Sequence, residues 1–152
     1  MPRMNDWQQE AHEAVRKEAW SLRGSNQIVK VVPGGGAAAS FLGGYITLGI
    51  SLSGKTPQQI ESELGLPAGF LRSGARIYRF TRLPMSHEYE YELTAYYPGG
   101  LAFNPAHSNP NYPPGSRKIH QWRIKSGVRI PVDPNYLDLK PGQSFPYEWL
   151  WR

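Results

Sequence analysis

Three glutamates alternate with aromatic residues in the segment "EYEYELTAYY", residues 88–97. Glu88, Glu90 and Glu92 would share one face of a strand, because successive side chains of a strand point to opposite faces. The pair Glu90 and Glu92 could serve glycosyl-transfer chemistry, in which one carboxylate stabilises a sugar cation and the other lies near the nucleophile. The same alternation is typical of the solvent face of an antiparallel strand, so both interpretations stay open.

Arginines are concentrated in "RSGARIYRFTRLP", residues 72–84, which contains no acidic residue. A guanidinium that projects from a strand can bind a phosphate through two parallel hydrogen bonds. Arg79 and Arg82 are therefore candidate ligands of an anion. Strand alternation places Arg79 on the face of Ile77, and Arg82 on the face of Tyr78. An edge strand with solvated arginines would show the same pattern.

A third candidate segment, "YPPGSRKIHQWRI", spans residues 112–124 and belongs to a second acid-free basic cluster. Gln121 could orient a water or a ribose hydroxyl, and Trp122 could stack on a flat ring. His107 or His120 with Lys118 could instead perform the acid–base cleavage of RNA. The basic cluster consists of Arg117, Lys118, Arg123, Lys125 and Arg129.

The residues "GISLSGKT", 49–56, match the Walker A pattern of phosphate-binding loops. In such loops the helix begins at the Gly-Lys pair. Here Thr56, Pro57 and Gln59 form a capping box that predicts a helix beginning at Pro57. We therefore expect a turn followed by a capped helix, and no nucleotide site.

The elements that would position these residues predict an α+β fold with a mostly antiparallel sheet. Residues 5–23 have the spacing of an amphipathic helix, and strands are expected over 27–32, 45–50, 75–81 and 88–97. Two segments, 118–124 and 128–132, are predicted to pair as a hairpin around Ser126-Gly127. The aromatic end, "FPYEWLWR", is expected to be a last strand or a docked tail.

Composition indicates a single domain over residues 1–152, with a helical and Gly-rich segment (1–44) before a catalytic core (45–152). The chain has a net charge of +5 and no cysteine, which excludes disulfides and thiolate metal sites. No histidine pair has the spacing of metal ligands, so we expect no metal. The sequence also lacks an apolar run of membrane-spanning length and the pattern of a signal peptide.

Three segments, residues 66–84, 112–124 and 139–149, resemble the C-terminal toxin domains of bacterial polymorphic effectors of the Rhs and type VI secretion kind. Their layout is similar to the ADP-ribosyltransferase toxins and to the NAD glycohydrolases related to tuberculosis necrotizing toxin. The resemblance implies an ADP-ribosyltransferase-like fold and NAD as the substrate. It also implies that Arg79 holds the NAD phosphates and that Tyr78 contacts a ring. The polar catalytic residue would be Gln121, or alternatively Glu90 or Glu92.

The resemblance further implies an antibacterial toxin that reaches the cytoplasm of a target cell without a classical signal peptide. An acidic immunity protein would neutralise it, and a transferase would also need a macromolecular target. The sequence does not contain the Gly-rich C-terminal loop of the necrotizing-toxin group, nor the Ser-Thr-Ser segment of many transferases. Transfer and hydrolysis therefore both stay open. The alternatives are the ribonuclease and a non-enzymatic module that binds nucleic acid or protein through its basic face.

Overall fold

The computed structural model of the protein describes residues 27–93, 96–97, 101–102 and 120–152, and shows an α+β fold with a mostly antiparallel sheet. The strands are β1 (Ile28–Pro33), β2 (Phe41–Leu42), β3 (Tyr45–Leu48), β4 (Ala75–Arg79), β5 (Tyr89–Leu93), β6 (Tyr96–Tyr97), β7 (Leu101–Ala102), β8 (His120–Ile124), β9 (Ile130–Pro131) and β10 (Leu137–Leu139). One α-helix, α1 (Pro57–Leu64), and three short 3₁₀ helices at Gly49–Leu52, Ser86–Glu88 and Tyr147–Trp151 accompany them in the described ranges.

Six strands form the main sheet in the order β10-β4-β1-β3-β8-β5, with every neighbouring pair antiparallel. Strand β1 lies near the middle and pairs with β4 from Val29 to Pro33 and with β3 at Ile28 and Val29. The main sheet therefore contains a strand that precedes residue 44, the expected boundary, as well as strands that follow it.

The sheet has a buried apolar cluster on each face. We call the side covered by α1 the α1 face; its cluster also includes Phe145, Trp149 and Leu150 from the end of the chain. The opposite face carries Tyr78, Phe80 and Ile124 together with Ile130 of β9 and Val132, which forms an isolated bridge with Phe80. Because strand residues alternate between faces, Ile77 lies in the first cluster and Tyr78 in the second.

Helix α1 begins where the capping pattern predicts. The Thr56 side chain accepts a hydrogen bond from the Gln59 backbone N–H, and the Gln59 side chain accepts one from the Thr56 backbone N–H. Gly65 ends the helix in the left-handed conformation at φ 69°. Between β3 and this cap, Gly49–Leu52 forms a 3₁₀ helix, where the sequence predicted a strand through Ile50.

The predicted hairpin around Ser126-Gly127 is wrong. The turn itself exists, with Val128 N–H donating to the Lys125 carbonyl at 3.0 Å. However, β8 pairs with β3 and β5, whereas β9 pairs with β2. Long-range pairing has therefore outweighed the local turn signal, as tertiary context commonly does for strands.

The chain ends in a docked aromatic 3₁₀ helix, Tyr147–Trp151, which realises the second of the two expectations for this segment. The helix predicted at residues 5–23 lies outside the described residues. Among the helices of the described ranges, none combines the length and the apolar character needed to cross a membrane.

Candidate functional site

Four of the predicted site residues lie on the adjacent strands β5 and β8, at one edge of the main sheet. The register pairs Glu90 with Arg123 and Glu92 with Gln121. Residues directly opposite in an antiparallel ladder share a face, so positions 90, 92, 121 and 123 form one polar strip. Trp122 pairs with Tyr91 in the same ladder. The glutamates and Gln121 are thus brought together by a pairing that the sequence did not predict.

A basic pocket of about 770 Å³ opens at the end of β8, beside this strip. Among the residues that the structure describes, it is lined by Leu42, Gly43, Gly44 and residues 123–129, including Arg123, Lys125 and Arg129. The Ile124 N–H donates to the Gly44 carbonyl at 2.7 Å, and the Lys125 N–H to the Glu88 carbonyl at 2.9 Å, so backbone bonds hold both walls. Because the side chains of Lys125 and Arg129 are exposed and positively charged, they favour an anionic ligand in this pocket.

A further cation, Lys30, lies behind the glycine wall of the basic pocket. Its Nζ would be 2.8 Å from a Cβ added to Gly44, a residue that has a positive φ of 79°. Burial lowers the pKa of Lys30 from 10.5 to about 8, because the charged amine has lost solvent. The sequence places this half-buried lysine in an alternating strand, "QIVKVV", and gave no signal that its amine would lose solvent.

Arg79, the predicted phosphate ligand, contacts the end of the chain. Its Nη1 donates to the Trp149 carbonyl at 3.1 Å and to the Arg152 carbonyl at 2.8 Å. The guanidinium stacks 4.2 Å from the centre of the Trp149 ring, and its Nη2 is 3.9 Å from the Asp133 carboxylate. To bind a phosphate, Arg79 would have to release these partners. Its strand β4 is also separated from β8 by β1 and β3, about 14 Å at ordinary strand spacing.

The other two predicted ligand contacts near Arg79 also have protein partners. Tyr78 is buried, and its hydroxyl accepts a hydrogen bond from the Ala39 N–H at 3.0 Å. Arg82 forms a bidentate ion pair with Glu88, with N···O distances of 2.8 and 3.0 Å. Arg82 and the Met85 N–H together lower the pKa of the Glu88 carboxyl to about 2. Thus Glu88 is already neutralised by an arginine.

The lysine of the Walker-like segment contacts groups of the protein itself. Lys55 Nζ donates to the Ser51 carbonyl at 2.8 Å and forms an ion pair with Glu63 of α1. Lys55 therefore links the 3₁₀ helix Gly49–Leu52 to α1. The interpretation of "GISLSGKT" as a turn and a helix cap agrees with these contacts.

Among the residues that the structure describes, no group of three or more histidines and carboxylates is placed to hold a metal ion. Two residues of the ribonuclease hypothesis, His107 and Lys118, lie outside the described ranges, while His120 pairs with Leu93 across β8 and β5. Comparisons of the chain with protein-family models, with curated proteins and with solved structures find no match.

Proposed function

We propose that this protein binds NAD with its pyrophosphate in the basic pocket, and consumes it as an ADP-ribosyltransferase or an NAD glycohydrolase. The observation that carries the proposal is the strand register, which sets Glu90, Glu92 and Gln121 next to a pocket lined by three cations. The same proposal includes an ADP-ribosyltransferase-like arrangement of the sheet.

The basic pocket suits a dianionic pyrophosphate in charge and in size. Its volume, about 770 Å³, is in the range of small-molecule and cofactor sites. The lining cations create a positive electrostatic potential that favours an anion. The backbone hydrogen bonds of Ile124, Lys125 and Val128 hold the walls of the pocket in place. In this proposal Arg123, Lys125 and Arg129 take the role that the resemblance implied for Arg79 and Arg82.

The reaction breaks the bond between the anomeric carbon of the ribose and the nicotinamide nitrogen, and nicotinamide leaves with the bonding electron pair. A carboxylate at position 90 or 92 stabilises the positive charge that develops on the ribose. The new bond forms from the oxygen of water or from a nucleophile of a target, and its proton passes to the second carboxylate. Gln121 would orient the nucleophile or a ribose hydroxyl.

In its biological setting, we propose an antibacterial effector that acts in the cytoplasm of a recipient cell. The basic cluster and the net charge of +5 favour an acidic immunity protein as the neutralising partner. A protein that covered the basic pocket with carboxylates would block the pyrophosphate site directly. The immunity protein and the target of a transferase remain parts of this proposal.

Charge reversal tests the proposal. The double variant Lys125→Glu/Arg129→Glu should reduce nicotinamide release from NAD by at least tenfold, since each reversal replaces attraction by repulsion. The matched control Arg72→Glu/Lys140→Glu alters net charge equally at exposed residues outside the pocket lining and should keep its turnover. No nicotinamide release by the unmodified protein, or an equal loss in both variants, would refute the proposal.

The basic pocket also favours a second candidate, a module that binds nucleic acid without catalysis. Such a module would bind RNA or DNA with an affinity that falls steeply with salt, because phosphate contacts release counterions. Incubation with total RNA distinguishes the two nucleic-acid hypotheses: fragments would indicate the ribonuclease, and binding without fragments would indicate the module.

A further inference from the structure

A small apolar cleft lies on the α1 face, between the sheet and the segment that follows α1. Its volume is about 110 Å³, roughly the space of four water molecules in the liquid. The side chains around it come from β1, β3 and the region 64–70, and include Val31, Tyr45, Thr47, Leu64, Leu66 and Phe70. We call it the ring cleft.

The ring cleft is next to the polar strip of the proposed site. Its β3 wall contains Tyr45 and Thr47, and the register pairs Tyr45 with Arg123 and Thr47 with Gln121. Paired residues of an antiparallel ladder share a face, so the cleft and the polar strip lie on the same side of the sheet on neighbouring strands. A ligand lying across β3 and β8 would reach both.

The outer wall of the ring cleft is an exposed phenylalanine held on an ordered turn. Phe70 keeps 40 % of its surface exposed although its neighbour Leu71 is buried. The turn is fixed by Glu61 of α1, whose carboxylate accepts a hydrogen bond from the Leu71 N–H at 2.8 Å, and by the Phe70 N–H bond to the Pro67 carbonyl at 3.0 Å. An aromatic side chain presented in this way offers a flat partner for stacking.

We infer that the ring cleft binds one flat heteroaromatic base, either a single ring or a fused pair of rings, which belongs to the ligand whose phosphates occupy the basic pocket. The cleft volume is that of one small base, Leu64 and Leu66 supply apolar walls, and Phe70 supplies a stacking face. The inference rests on the proposed function for the rest of the ligand. Nicotinamide and adenine share the required chemistry, and the experiment separates them.

The test measures binding of free nicotinamide and of free adenine to the full chain by NMR titration. Phe70→Ala should weaken binding of one of these rings by at least fivefold, and Leu66→Trp, which fills the cleft, should abolish it. The control Phe41→Ala removes another exposed phenylalanine, outside the lining of the cleft, and should leave ring affinity unchanged. An unfolding curve for each variant shows whether the fold is intact.

The outcomes separate this inference from the proposed function. Ring binding that depends on Phe70, without any nicotinamide release from NAD, would support the cleft and refute NAD consumption. NAD turnover that neither Phe70→Ala nor Leu66→Trp changes would support the reaction and overturn the ring cleft. Failure of both rings to bind the unmodified protein would also overturn it.

Discussion

Arg79 shows how a residue with the chemistry of a ligand contact can serve the fold instead. Its guanidinium is buried among the Trp149 ring, two main-chain carbonyls and the Asp133 carboxylate. A buried arginine needs such partners, because an unpaired charge in the interior is strongly destabilising. The same donors that could grip a phosphate hold residues 149–152 against β4.

Replacement of Arg79 by alanine should lower the free energy of unfolding by about 3 kcal/mol. The change leaves the Trp149 and Arg152 carbonyls without their hydrogen-bond donor, and it removes the stacking partner of the Trp149 ring. Urea unfolding monitored by tryptophan fluorescence measures the change. Arg72→Ala, at an exposed arginine of the same segment, should change stability by less than about 0.5 kcal/mol. Unchanged stability with complete loss of NAD turnover would instead restore Arg79 as a phosphate ligand.

Lys30 gives a pH-dependent prediction. Its pKa is about 8 in the folded protein and 10.5 when solvated, so the unfolded chain binds more protons between these values. The free energy of unfolding should therefore rise as the pH increases from about 8 to 10.5. The destabilisation that comes from removing solvent from the charged Lys30 amine is fully present below pH 8. Lys30→Met should raise the free energy of unfolding at pH 7 by on the order of 2 kcal/mol.

The Lys30→Met gain should fade as the pH approaches 10.5, the solvated pKa, where the lysine no longer has to be discharged on folding. Urea unfolding at several pH values gives the comparison. Lys140→Met, at an exposed lysine, is the matched control and should show little change at any pH. A stability gain that grows with pH would contradict the assignment.

At the scale of elements, the quality of the sequence predictions follows the range of the interactions. Helix α1 was predicted at its first residue, because the capping box is a local arrangement of Thr56, Pro57 and Gln59. Strand β4 was also located from its alternation. The strands that pair with β8 were not predicted, because a turn signal at Ser126-Gly127 contains no information about which distant strands β8 pairs with.

Gly74 joins two elements and gives a prediction at this scale. It lies before β4 with φ 108°, and an added Cβ would overlap the carbonyl oxygen of Leu139 in β10. Gly69 also has a positive φ, 81°, but nothing lies within 4 Å of its added Cβ. Gly74→Ala should cost about 3 kcal/mol or more, and Gly69→Ala about 1 kcal/mol.

Thermal and urea unfolding of the two glycine variants give this comparison directly. Both glycines have a positive φ, so the difference between the two variants reports the close approach of β10 together with the larger φ of Gly74. Equal costs would mean that β10 can move away from β4 without loss. In that case the pairing of Asp138 with Arg76, which joins the same two strands, would contribute little to stability.

At the scale of the whole molecule, the sequence predicted the fold class but not the strand order. Composition and alternation were sufficient for an α+β fold with an antiparallel sheet. The order β10-β4-β1-β3-β8-β5 depends on long-range contacts that a single sequence does not encode locally. For the same reason Glu90, Glu92 and Gln121 could be proposed singly, whereas their proximity to Lys125 and Arg129 required the register.

The strand order also affects how the chain folds during synthesis. Strands β1, β3 and β4 can pair as soon as β4 has been made, but β8, the second partner of β3, follows β3 by about 70 residues. At ordinary rates of translation this interval lasts about 4 to 14 s. During that time the apolar strand "YITL" offers an unpaired edge, which is a template for aggregation. A cell that makes this protein therefore benefits from a chaperone or a binding partner that covers β3 until β8 has been made.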